Sequence, residues 1–96
     1  MGKRTEKSER TVTKSNQDLE FLVQIGLRIQ QIRRSKGITQ MELSYRCEME
    51  RSNMRRIEAG GTNPTILTLR KIASALGVEI DEILKEVQAI HPQSRD

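Results

Sequence analysis

The chain has no tryptophan, and its aromatic content is two residues, Phe21 and Tyr45. Sheet cores draw on aromatic and β-branched residues, whereas here Leu, Ile, Val and Met recur at helical spacing, so no strands are expected. A single cysteine, Cys47, rules out an intramolecular disulfide, and its place on the apolar side of a short helix makes it a core thiol rather than a redox sensor. There is no N-terminal apolar signal segment and no run approaching the roughly 20 apolar residues that span a bilayer, so a soluble, cytoplasmic protein without membrane contact is expected. His91 stands alone beside Pro92, with no Cys-x-x-Cys or His-Glu-x-x-His pattern, which argues against a metal site. A glycine-rich phosphate loop, a Ser-His-Asp set and paired carboxylates in a cleft are also missing. The expectation is therefore no cofactor, no small-molecule ligand and no enzymatic activity.

What is present fits one small domain, because 96 residues bury too little surface for two. The formal net charge is +4, and its distribution matters more than its size. From Arg28 to Arg56 there are eight basic residues against three acids, a balance of +5; from Gly77 onward there are two against five, a balance of −3. A positive middle is what a phosphate-facing surface requires, with ordinary solvated helix faces as the alternative.

Residues 1–14 are Lys, Arg, Glu, Ser and Thr with almost no apolar content, and read as a disordered basic arm. Ser15 or Asn16 can cap a first helix, with Asp18 and Glu20 in its first turn, a stripe of Leu22, Ile25, Ile29 and Ile32, and a left-handed stop at Gly37. Thr39 with Glu42 forms a capping-box pattern that opens a second helix, roughly Gln40 to Cys47. After a tight connection at Glu48-Met49, a third helix runs from Glu50 to Ala59 and ends at Gly60-Gly61. Asn63-Pro64-Thr65 is a turn followed by a cap, then Ile66, Leu69, Ile72, Ala73 and Leu76 repeat at helical spacing up to Gly77. A short fifth helix places Ile80, Ile83, Leu84 and Val87 on one side, and residues 91–96 form a frayed tail. The domain is thus 15–90.

Two short helices joined by a tight turn, the second with a basic outer face, make the unit that inserts a helix into the DNA major groove. If Glu50, Met54 and Ile57 mark the inner side of the third helix, a 100° advance per residue puts Ser52, Arg55, Arg56 and Ala59 outside, with Arg51 at the edge. Arginine forks bind guanine O6 and N7 or clamp phosphates, and a serine allows close approach. Glu50 is an anomaly there: beside DNA a carboxylate repels phosphate unless it caps the helix, the favoured role, or accepts from a cytosine amine.

The run Gly37-Ile38-Thr39-Gln40-Met41-Glu42-Leu43-Ser44, then Ser52-Asn53-Met54-Arg55-Arg56-Ile57-Glu58-Ala59-Gly60 and Asn63-Pro64, resembles the Cro/C1-type (XRE-like, lambda-repressor-like) helix-turn-helix regulators. Leu69, Ile72, Ala73, Ala75, Leu76, Gly77 and Val78 continue the match, which covers about Ile25 to Leu84. The resemblance implies an all-α, compact five-helix DNA-binding domain. It implies that Gln40 contacts a phosphate or supports a base-reading residue, with capping alone as the alternative. It also implies that Arg33 and Glu58 form a partly buried ion pair, which removes Arg33 from the DNA contacts. Arg51, Ser52, Asn53, Arg55 and Arg56 complete the candidate DNA-binding set; Arg34 and Lys36 are candidate phosphate contacts or solvated, and Arg46 is open between the same two roles. The family usually has glycine in the turn where this chain has Glu48, so a left-handed or altered turn is expected there.

The implied function is a sequence-specific transcriptional regulator, repressor or autoregulator, that binds double-stranded DNA at an inverted repeat as a homodimer. Ile80, Ile83, Leu84, Val87 and Ile90 outnumber what the core needs and are the expected dimer surface. The alternative is an antitoxin or adaptor module whose main role is to hold a protein partner.

Overall fold

Ser15 opens the first helix with a reciprocal cap: its hydroxyl accepts from the Asp18 backbone N–H at 3.0 Å and its own N–H donates to the Asp18 carboxylate at 3.4 Å. Two orphan groups of helix α1 (Asn16–Ser35) are thereby satisfied. The computed structural model describes residues 15–85 and 87. The basic arm at 1–14, Ile90 and the tail at 91–96 lie outside the described residues.

Four more helices follow: α2 (Gln40–Arg46), α3 (Arg51–Ala59), α4 (Ile66–Leu76) and α5 (Ile80–Leu84). No strand occurs among the described residues. Thr39 caps α2 and Thr65 caps α4, each hydroxyl accepting from the backbone N–H three residues on. The second half of the Thr39 box is not made, because Glu42 directs its carboxylate to Arg46 at 2.9 Å instead. Gly37 leaves α1 at φ 71°, the left-handed exit expected of it.

α1 packs on α3 and α5, α2 on α3 and α4, and α4 on α5. Each helix sends at least one fully buried side chain to the common core: Ile29, Leu43, Met54, Ile72 with Leu76, and Ile83. Burial of such a side chain contributes about 1.5–3 kcal/mol, so the short helices are held mainly by tertiary packing. Cys47 joins this core at 1% exposure, and burial raises its thiol pKa above the ordinary value, a rise partly offset by Lys71.

A close approach sets the seat of α3. Gly26 is buried in α1 against the last turn of α3, where an added Cβ would collide with the carbonyl groups of Ile57 and Glu58. Gly60, just past α3, gives no room for a Cβ against Val23. The two backbones meet because neither glycine brings a side chain.

Two expectations about apolar residues are corrected. Ile66 shares the helical spacing of the α4 apolar residues but is 62% exposed, because the first residue of that helix precedes the turn that reaches the core. Ile83 and Val87, expected at a dimer surface, are buried at 0% and 2% exposure within the chain itself. Both join the core where α5 meets α1 and α4, and among the described residues of that set Ile80 and Leu84 remain half-buried.

Candidate DNA-reading face

The connection from α2 to α3 is tight. The Met49 N–H donates to the Ser44 carbonyl at 2.9 Å, the Glu48 N–H donates to Tyr45 at 3.0 Å, and Glu48 takes φ 54°. It is the described non-glycine residue with positive φ, as its place in a turn that usually holds glycine predicts. A side chain in this region costs on the order of 1–2 kcal/mol, offset here by Met49 packing against the core.

The turn delivers α3 with two unlike sides. Met54, Ile57 and Glu58 are buried, while Arg51, Ser52, Arg55, Arg56 and Ala59 are exposed. Asn53 lies at the margin, half-buried, and its Oδ1 accepts from Arg56 Nη2 at 3.5 Å. The structure thus puts Arg51, Ser52, Arg55 and Arg56 on the outer side of α3, spread from its first turn to its last, with Asn53 beside them. Glu50 departs from expectation: it occupies the N-cap position with extended backbone, but its side chain makes no capping hydrogen bond and is exposed. Glutamate is one methylene longer than the residues that cap well, so closing back on the N–H groups costs it more order. Its assumed inward direction is corrected with its role.

Behind this face lies a polar hub. The Glu58 carboxylate accepts from Arg33 Nε at 2.8 Å and Arg33 Nη2 at 2.9 Å, and also from Gln40 Nε2 at 2.9 Å. Arg33 Nη1 donates to the Ile38 carbonyl at 3.1 Å, and Gln30 Nε2 donates to the Glu58 carbonyl at 2.9 Å. A buried charge pair is tolerable only when its remaining hydrogen-bond capacity is met, and here α1, α2 and the loop between them supply it. The Arg33–Glu58 pair is present as expected. Gln40 does not cap α2, which Thr39 does; its amide is held on Glu58, beside the N-terminus of α2.

Three further cations of the basic middle can now be sorted. Arg28 donates from Nε to the Glu82 carbonyl at 2.8 Å and from Nη2 to the Glu82 carboxylate at 3.2 Å, tying α1 to α5. Lys85 completes the pairing at 3.0 Å, and its hydrogen bond and charge, with Arg28 adding less, hold the Glu82 carboxyl below its usual range. Arg46 donates to the Ala75 carbonyl at 3.1 Å and to Glu42, joining α2 to α4. Lys36 extends toward Gly77 at the end of α4, where helix carbonyls attract a cation. Arg34, Arg51 and Arg55 have no side-chain hydrogen-bond partner among the described residues, and with Arg56 they carry outward positive charge in this stretch.

Sequence reasoning missed Gln30, Gly26 and the bridging roles of Arg28 and Arg46. Gly26 carried a signal, since a glycine inside a helical stripe often marks a close approach; the others looked like surface polar residues. Among the described residues no group of three His, Cys, Asp or Glu side chains is placed to hold a metal ion, and no helix is long and apolar enough to cross a membrane.

Residues 29–83 match the helix-turn-helix family. The chain is 32% identical over 72 residues to the immunity repressor protein of Bacillus phage phi105, a match that covers 75% of this chain but half of that protein's length. Its structure resembles the restriction-modification controller protein C.AhdI from Aeromonas hydrophila, with TM-score 0.63, 32% identity and coverage of 65% of this chain and 94% of that one. Another restriction-modification controller protein, solved as a tetramer in complex with its natural 35-base-pair operator, aligns with TM-score 0.59 and 34% identity over 68% of this chain and 96% of that one. The buried Arg33–Glu58 hub, the short α2–α3 unit and these likenesses coincide on one stretch of chain, and the protein belongs to the Cro/C1-type helix-turn-helix family of DNA-binding transcriptional regulators.

Proposed function

We propose that the chain is a sequence-specific repressor or autoregulator that reads an inverted-repeat operator as a homodimer, each protomer placing the N-terminal half of α3 in the major groove. The observation that carries this reading is the division of α3: Arg51, Ser52, Arg55 and Arg56 stand exposed while Met54, Ile57 and Glu58 lock the opposite side into the domain. Arginine forks supply the donors for guanine edges and phosphates, with Asn53 orienting Arg56. Gln40 supports the face through Glu58, and its helix end presents backbone N–H groups suited to a phosphate. Arg34 adds a phosphate contact; Lys36, drawn toward α4, contributes to the field rather than to a defined contact.

For the dimer, Ile80 and Leu84 are the described residues of the expected set still reachable from outside, so the self-contact uses their exposed edges. Two half-sites about one helical turn apart, roughly 34–36 Å, follow from such a pairing. Selection of bound oligonucleotides by the full chain, followed by footprinting, tests the proposal. An enriched motif with twofold symmetry is expected. Enrichment of single half-sites would remove the dimer, and no enrichment at all would remove sequence-specific reading.

A further inference from the structure

We infer that Glu50 is a specificity-determining residue that accepts a hydrogen bond from a cytosine N4 amine at the tip of the reading helix. The inference rests on the proposal that α3 enters the major groove. Glu50 directly precedes Arg51, at the helix end that such motifs insert most deeply. Its carboxylate is exposed and makes neither a cap nor an ion pair among the described residues. The structural role that would have explained an acid at this position is therefore vacant.

The surrounding chemistry favours a base over phosphate as its partner. Arg51, Arg55 and Arg56 are donors only, suited to guanine O6 and N7 and to phosphate oxygens. A carboxylate is acceptor only, and on the major-groove edge cytosine offers N4–H without an acceptor of its own beside it. Thymine presents O4, guanine presents O6 and N7, and adenine flanks its amine with N7, so each sets an acceptor against the carboxylate. Consecutive Glu50 and Arg51 thus supply one acceptor and one donor, the pair needed to read cytosine and guanine at one base pair or at neighbouring ones. A carboxylate left unpaired in the groove would weaken binding everywhere, so the same group that rewards cytosine also rejects sites without it.

The test is oligonucleotide selection and binding with the full chain and three variants. Wild type is expected to enrich a cytosine within each half-site. Glu50→Gln is expected to lose it, shifting toward adenine, with the remaining positions unchanged and discrimination at that base pair reduced at least about fivefold. Glu50→Asp separates the two roles of an acid at this position: the shorter side chain caps α3 and raises the melting temperature, yet the cytosine preference falls. Glu48→Gln, two residues back in the turn, is expected to leave the motif intact. An unchanged motif in Glu50→Gln overturns the inference, as does a uniform tightening on selected and random DNA, which would make Glu50 a repulsive charge alone. If wild type enriches no motif, the DNA-reading proposal fails first, and this inference with it.

Discussion

Arg33 and Arg55 are the same side chain in opposite situations, one buried behind α3 and one exposed in front of it. Arg33 has its guanidinium shared between the Glu58 carboxylate and the Ile38 carbonyl, so its geometry is over-determined. Arg55 has no side-chain partner among the described residues and keeps its rotamer freedom. Charge content alone cannot separate the two, yet one holds α3 in place and the other faces outward from it. Hub mutations should therefore act on folding, and face mutations on binding.

The largest expected effect comes from the hub. Glu58→Ala leaves Arg33 as an uncompensated buried charge and should cost about 3–5 kcal/mol in urea unfolding, whereas the paired apolar exchange Arg33→Met with Glu58→Leu should recover most of that loss. If the single and double variants unfold alike, the hub is not what anchors α3. Gly26→Ala comes next: a Cβ against the last turn of α3 forces the helices apart, at a cost of about 1–3 kcal/mol, with the melting temperature as readout. Arg55→Ala should reverse the pattern, leaving stability within about 0.5 kcal/mol while operator binding weakens by about 1–3 kcal/mol. Equal weakening on random DNA would make Arg55 a phosphate contact.

Smaller effects bear on the turn and the core thiol. Glu48→Gly relieves a left-handed side chain and should stabilise the domain by about 1 kcal/mol in denaturant, with a changed operator affinity if it re-aims α3. Cys47 has a raised pKa in the folded state, so its contribution is full below the ordinary thiol range and is lost as pH climbs through the folded value. A modest alkaline fall in stability, absent in Cys47→Ala, is the expected outcome of thermal melts across pH.

Much of the helical frame was legible locally. Ser15, Thr39 and Thr65 announce three starts, Gly37, Gly60 and Gly77 three exits, and the apolar stripes of α1 and α4 give their inner faces. The Arg33–Glu58 pair was legible only through resemblance, because 25 residues of separation carry no local pattern. Glu50 misled for the converse reason: its position is that of a cap, and only side-chain geometry shows that it does not cap. The apolar excess on α5 misled as well, since counting residues cannot show that the groove beside α1 takes in Ile83 and Val87.

The sequence by itself determined the helix periods, most of their caps and stops, and an outer face on α3 rich in arginine. These follow from interactions within a few residues, which spacing and residue type encode directly. Tertiary structure alone decided which cations are bound within the fold and which face outward, how closely α1 approaches α3 across Gly26, and how much of α5 the core consumes. Those outcomes depend on atoms distant in sequence competing for the same space and the same hydrogen-bond partners, and no periodicity records who wins.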